Sequence, residues 1–306
     1  MRIEPFAIER FYERWEFRAE LMLSSSDCET MALGELLSLE SDAGGRLQAL
    51  RLGYTEVAGS CELRSAIASR HEQADAEDVL AIAAAEEGIF IAYQALLAAG
   101  DHAVIETPCY GSALEVARST GADVSAWARR PQDGWAHDID ALERELRPNT
   151  QLIYINSPHN PTGLGMRREV FERVLEIARE RSIVVFGDEV YRGLEHDPEM
   201  RLAHVADAYE RGISLGAVSK AHGLPGLRVA WLVCRDPQLR RRITDIKLYT
   251  TICSSAPSEL LVALALRHEQ RLLARSRELL AANLPLVDDL LARRAELFSW
   301  LRPDAG

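Results

Sequence analysis

Leu152-Ile153-Tyr154-Ile155-Asn156 is a short apolar run. The turn Ser157-Pro158-His159-Asn160-Pro161-Thr162-Gly163 follows it, then Arg168–Arg179 with apolar residues at helical spacing, then Ile183-Val184-Val185-Phe186. Short apolar runs bounded by turn residues read as buried strands, and an apolar stripe of period near 3.6 reads as an amphipathic helix. The unit is therefore strand–helix–strand, and it recurs on either side. Candidate strands Val79–Ala83, His102–Glu106 and Asp123–Trp127 precede it, and Ile213–Val218 and Arg228–Cys234 follow, with helical segments such as Gly88–Ala98 and Ser112–Thr120 between them. This alternation predicts an α/β fold, a mostly parallel sheet with helices on both faces.

Composition agrees. The 306 residues suffice for one large domain, or one large and one small, and 47% of them are apolar. A net charge of −12 argues against a nucleic-acid or anionic-membrane surface. No apolar run of membrane length appears and no signal-peptide core follows the start, so the default location is the cytoplasm. Cys28, Cys61, Cys109, Cys234 and Cys253 are scattered without zinc-ligand spacing, and read as free thiols with no metal site. From Ser258 to Leu297 the chain turns Leu/Ala/Arg/Glu-rich with helical spacing, and Pro285 is expected to break it. The division expected is residues 1–45 as an N-terminal part of a small domain, 46–256 as a large domain, and 257–306 as connecting helices. The last part is read as the start of a C-terminal small domain cut short.

Ligands in an open parallel sheet sit outside the carboxyl ends of the strands. The residues directly after each predicted strand are therefore the candidates: Ala84-Ala85-Glu86-Glu87-Gly88 opening a helix, Thr107-Pro108-Cys109-Tyr110, the Asn160 turn, Gly187-Asp188-Glu189-Val190-Tyr191, and Ser219-Lys220 with Arg228 beyond. Together they suit a flat, phosphorylated aromatic aldehyde. A lysine amine forms an imine with the aldehyde, a carboxylate keeps a ring nitrogen protonated, and an aromatic side chain stacks on the ring. A helix N-terminus with an arginine holds a phosphate. Each residue alone has an ordinary structural explanation as a cap, a turn former or a surface charge; their order and joint placement do not.

Three blocks, Asn156–Gly163, Asp188-Glu189-Val190-Tyr191 and Ser219-Lys220-Ala221-His222-Gly223-Leu224-Pro225-Gly226-Leu227-Arg228, carry a resemblance. With Leu52-Gly53-Tyr54-Thr55, Gly59, Glu62-Leu63-Arg64 and Pro108-Cys109-Tyr110, they make residues 50 to 235 resemble the class I/II aminotransferases, the fold-type-I pyridoxal-phosphate enzymes. The resemblance implies that Lys220 forms the Schiff base with the cofactor and then moves the substrate proton. It implies that Asp188 pairs with the ring nitrogen, that Asn160 and Tyr191 bond the ring oxygen, and that Tyr110 stacks on the ring. Arg228, Ser219 and the amides of Ala85 and Glu86 would hold the phosphate. Tyr54 would reach the phosphate of a neighbouring subunit, which implies a homodimer.

Three departures stand out. Ala217 replaces a frequent phosphate-binding serine, at a net cost of about 0.5–1.5 kcal/mol. Glu86 and Glu87 flank the phosphate turn and are expected to face solvent or pair with arginine. The family's C-terminal arginine for the substrate carboxylate has no counterpart here. The reading is amino transfer from an L-amino acid to a 2-oxo acid. Alternatives are another reaction of the same cofactor (β-elimination, or oxidation or cyclisation of an arginine-like substrate) and an inactive cofactor-binding fold. Asp27 or Glu29, at the expected substrate entrance, would contact a cationic substrate; the ordinary alternative is a solvated loop or helix cap. His159 and His222 are read as hydrogen-bonded supports of the cofactor rim.

Overall fold

The computed structural model describes residues 3–306; Met1 and Arg2, at the head of the N-terminal segment, lie outside them. Helices α1 (Ala7–Trp15), α2 (Leu33–Leu37), α3 (Ala43–Ala49) and α4 (Cys61–Ala68) precede β1 (Val79–Ile82). Helices and strands then alternate: α5 (Ala85–Leu96), β2 (His102–Thr107), α6 (Gly111–Ser119), β3 (Asp123–Ala128), α7 (Ile139–Glu145), β4 (Thr150–Asn156), α8 (Arg168–Arg181), β5 (Val184–Asp188), α9 (Val205–Ala208), β6 (Gly212–Ala217) and β7 (Ala230–Cys234). The helices α10 (Pro237–Lys247), α11 (Ala256–Arg267) and α12 (Glu269–Ala292) follow. No helix among the described residues is long and apolar enough to cross a membrane.

The seven strands form one sheet in the order β1-β7-β6-β5-β4-β2-β3, parallel except that β7 runs antiparallel to β1 and β6. All seven predicted strands form, and their ends move by one or two residues. Both faces are largely buried on every strand but β3, so side chains there alternate between two apolar environments, whereas the edge strand β3 alternates between core and water. Leu152 and Tyr154 face the core shared with α5, α6 and α10, and Ile153 and Ile155 face the core shared with α7 and α8. Trp231 and Val233 pack with α4 and α11 on that second face, joined by Leu36 and Ala43 from α2 and α3.

Gly88 sets how closely α5 lies on the sheet: a Cβ there would sit 2.6 Å from Ile82 and 3.0 Å from Leu215. The helix start is thereby held at the carboxyl ends of the central strands.

The break expected at Pro285 does not occur, because α12 runs unbroken from Glu269 to Ala292. Proline lacks the N–H that would bond the carbonyl of residue 281. Ala281 and Pro285 are both exposed, so water can take that carbonyl, and the leucine- and alanine-rich flanks favour helix.

Candidate active site

The register places Asn156 beside Asp188 and Asp188 beside Leu215, so the carboxyl ends of β4, β5 and β6 lie side by side. The site is built on these three ends. Beneath it, Glu106 of β2 is fully buried and accepts from Arg129 Nη1 (3.1 Å), His137 Nε2 (2.7 Å) and the Asn156 amide (2.8 Å). Burial alone would raise its pKa, but His137, His159 and Arg129 hold it down at about 2. Asn156 Oδ1 then accepts from the Asn160 amide (2.6 Å), and its Nδ2 donates to the Asp188 carbonyl (2.9 Å). A buried ion pair thus fixes the turn that presents Asn160.

Asp188 is buried at the end of β5. Its carboxylate accepts from the Tyr154 hydroxyl (3.1 Å) and the Val190 amide (3.3 Å), yet burial still pushes its pKa up to about 6. Among the described residues this carboxylate forms no ion pair and, of the cations, feels only the Lys220 charge; a protonated ring nitrogen would supply a direct partner. Asn160 Nδ2 donates to the Tyr191 hydroxyl (3.2 Å), which lies 2.9 Å from Ser26 Oγ. Lys220 Nζ donates to Ser26 Oγ (3.4 Å) and pairs with Asp27 Oδ1 (2.5 Å). Burial alone would depress the lysine, but Tyr191 and Asp27 bring its pKa above the ordinary value. Asn160, Tyr191, Ser26, Lys220 and Asp27 form one continuous polar chain.

Lys220 has little competition. The sequence contains only two lysines, and the other, Lys247, is buried at the end of α10 with its amine on Thr251 Oγ1 and the Ile252 carbonyl, both at 3.1 Å.

Ala85 and Glu86 open α5, and Ala84 caps it with no side-chain hydrogen bond. Glu86 and Glu87 do not face solvent or pair with arginine as expected. Glu86 Oε1 accepts from Ser112 Oγ (3.0 Å), and burial pushes its pKa up to about 7. Glu87 accepts from the Ala83 amide (2.6 Å) and from the Thr250 and Thr251 hydroxyls (2.5 and 2.6 Å). The N-terminal turn of a helix draws carboxylates inward wherever N–H and O–H donors are at hand.

Arg228 is exposed and holds φ 51°, ψ 49°, the left-handed region, at the end of a 3₁₀ turn. Its charge acts on Glu86, which places it near the start of α5. Ser219 precedes Lys220 at the same strand end, and Ala217 is buried. Tyr110 packs its ring on Phe6 (centroids 4.8 Å apart, 59° between planes) and donates its hydroxyl to Glu9 of α1. Tyr54 is 94% exposed. Glu29 pairs with Arg275 (3.1 Å), leaving Asp27 as the carboxylate at Lys220. His159 donates Nε2–H to the Pro108 carbonyl (2.8 Å) and accepts from Thr162 through Nδ1 (2.8 Å). His222 bonds Glu269 (3.0 Å).

The donor set fits pyridoxal phosphate: one amine, one buried carboxylate short of a cation, a phenol with an amide, and an arginine near a helix N-terminus. The family model for class I and II aminotransferases matches residues 21–306. This chain belongs to that family. Capreomycidine synthase of Streptomyces vinaceus is 32% identical over 99% of the chain and 74% of its own length. A PLP-dependent aminotransferase from Streptococcus suis 89-1591 superposes with a TM-score of 0.93 at 29% identity, over 99% of this chain and 81% of its own. The PLP-dependent cyclase OrfR gives 0.91 at 28% identity, over all of this chain and 80% of its own. The chain spans only 47% to 60% of the length of other curated relatives, among them an arginine–pyruvate transaminase of Pseudomonas aeruginosa. The family and these neighbours imply pyridoxal phosphate as cofactor and chemistry on amino acids.

Two contributors went unread in the sequence. Tyr154 looks like any strand residue until its hydroxyl is found on Asp188. Ser26 sits in a serine run with no motif; its spacing from Lys220, 194 residues along the chain, carries no local signal.

Proposed function

We propose that this protein transfers an amino group from an L-amino acid to a 2-oxo acid, with Lys220 as the residue that holds the cofactor and moves the proton. Pyridoxal phosphate supplies, when bound, an aldehyde for imine formation and an electron-accepting ring. Lys220 Nζ takes the proton from the substrate Cα and returns it. Asp188 holds its negative charge against the ring nitrogen, and the Tyr191 hydroxyl and Asn160 amide orient the ring oxygen. Arg228, Ser219 and the N–H groups of Ala85 and Glu86 bind the phosphate. The polar chain Asn160–Tyr191–Ser26–Lys220 carries this reading.

A second reading has a specific observation behind it. Asp27 shares a salt bridge with Lys220, and once the lysine is neutral that carboxylate is free for a cationic substrate side chain. The names of the cyclase and arginine–transaminase relatives support an arginine-like substrate and, with it, cyclisation.

The cofactor-loaded protein given, each alone, L-arginine, L-aspartate or an arginine analogue bearing a β-hydroxyl separates the outcomes. One equivalent of 2-oxo acid per site marks amino transfer. With the β-hydroxylated analogue, continued turnover releasing water and ammonia marks elimination, and a cyclic product in which a guanidine nitrogen replaces the departing hydroxyl, lost as water, marks the second reading. No product from any of the three contradicts both. Asp27→Asn is expected to lower the preference for arginine over aspartate; an unchanged ratio removes the cationic-substrate assignment.

The working assembly proposed is a cytoplasmic homodimer of two domains, with residues 46–256 as the cofactor-binding one. Leu52 and Tyr54 support it: both project into solvent, on a segment that Thr55 ties to the Ser254 carbonyl (3.0 Å).

A further inference from the structure

Away from Lys220, a cleft of about 570 Å³ opens between the end of α4, the α11–α12 junction and the segment from Arg192 to His204. Arg70, Arg192, Arg201, Arg267 and Arg271 all line it. Arg267 is matched by Glu40 and Glu62, Arg201 Nε by Glu195 (2.9 Å), and Arg70 Nε by Glu269 (2.8 Å). Arg192 and Arg271 form no ion pair among the described residues. Arg192 Nη1 donates to the Leu202 carbonyl (2.6 Å). Burial depresses the pKa of this guanidinium; Glu189 and Glu195 oppose that shift without cancelling it, and Arg201 and Arg70 add to it more weakly.

Two further features point to a missing acceptor. Arg201 Nη2 is buried without a hydrogen-bond partner. The 24-residue helix α12 begins in the wall of the cleft, so the positive end of its dipole lies there. Glu269, the carboxylate of the wall, is already engaged by Arg70 and His222.

We propose that this cleft binds a small, multiply charged oxyanion, bearing phosphate or carboxylate groups. Guanidinium forks match two-oxygen acceptors, and a buried cation next to like charges gains most from such a partner. The volume lies within the usual range for small-molecule sites, roughly 300–1,000 Å³. Arg192 directly follows Tyr191, so an anion that fixes Arg192 also steadies the segment presenting that hydroxyl.

Isothermal titration of the purified protein with pyrophosphate and, separately, with citrate at matched ionic strength tests this. The expected result is saturable binding of at least one anion, the better of the two naming the ligand class. Arg271→Gln and Arg201→Gln are each expected to weaken it roughly tenfold, the loss of one charge-assisted contact. Arg271 is exposed, so its variant keeps the fold even where Arg201→Gln does not. Arg241→Gln, on the exposed face of α10 and outside the cleft, is expected to leave the affinity unchanged. No saturable heat with either anion, or a loss confined to Arg228→Gln, which would put the anion at the proposed cofactor-phosphate site instead, overturns the assignment.

Discussion

Asp188 and Glu86 show how single residues are tuned by where the backbone puts them. Burial pushes Glu86 from 4.5 up to about 7, so the folded protein binds more protons than the unfolded chain between those values. Stability from this group therefore falls as pH rises through that window. Glu86→Gln removes the dependence: its thermal midpoint relative to the parent is expected to climb from pH 4.5 to pH 7 and level off above. A constant difference across that range would contradict the burial described here. Tyr154→Phe removes a donor from a buried carboxylate, at about 1–3 kcal/mol. The loss is expected to be larger at pH 8, where Asp188 is ionised, than at pH 5, as read by urea unfolding. At this scale the sequence was legible where chemistry follows a strand directly, as at Asn160, Asp188, Tyr191 and Lys220. It was not legible for Ser26 and Tyr154, because contacts that join distant segments leave no spacing to read. The inward turn of Glu86 was missed because its partner, Ser112, lies on another helix.

Elements obey local rules that the neighbours then enforce or override. Gly216 on β6 faces Trp231 on β7, and a Cβ at Gly216 would lie 2.4 Å from the indole nitrogen. Gly216→Ala is expected to cost roughly 1–3 kcal/mol in chemical denaturation. Shrinking the ring with Trp231→Leu should cut that increment, and an increment unchanged in the double variant would mean that the clash is not its source. Pro285 teaches the reverse lesson. Proline predicts a stop, but an exposed helix flanked by strong helix formers absorbs the missing bond. Pro285→Ala is expected to raise amide-exchange protection over residues 283–292 and leave the rest of the chain alone; equal protection in both proteins would contradict a helix weakened at that point.

For the whole molecule, short apolar runs bounded by turn residues and the helices between them announced the α/β class. The strand order stayed hidden. Nothing in the runs says that β2 lies between β3 and β4, or that β7 turns antiparallel, since order depends on how connections cross the sheet and not on any strand's own pattern. That order is what makes the site, because β4, β5 and β6 end together over the Glu106 ion pair. The exposed Leu52–Tyr54 segment belongs to the same scale. Leu52→Asp is expected to shift light-scattering mass toward the monomer if this surface joins two copies, and an unchanged mass would remove it from the interface.

The central claim is that Lys220 is the amine that holds pyridoxal phosphate. Because the sequence has only two lysines, borohydride reduction of the cofactor-loaded protein, followed by peptide mass mapping, gives a direct answer. The account predicts a pyridoxyl adduct on Lys220 that is absent from Lys220→Ala. An adduct on Lys247, or a parent protein that takes up no covalent label in excess cofactor, would contradict it.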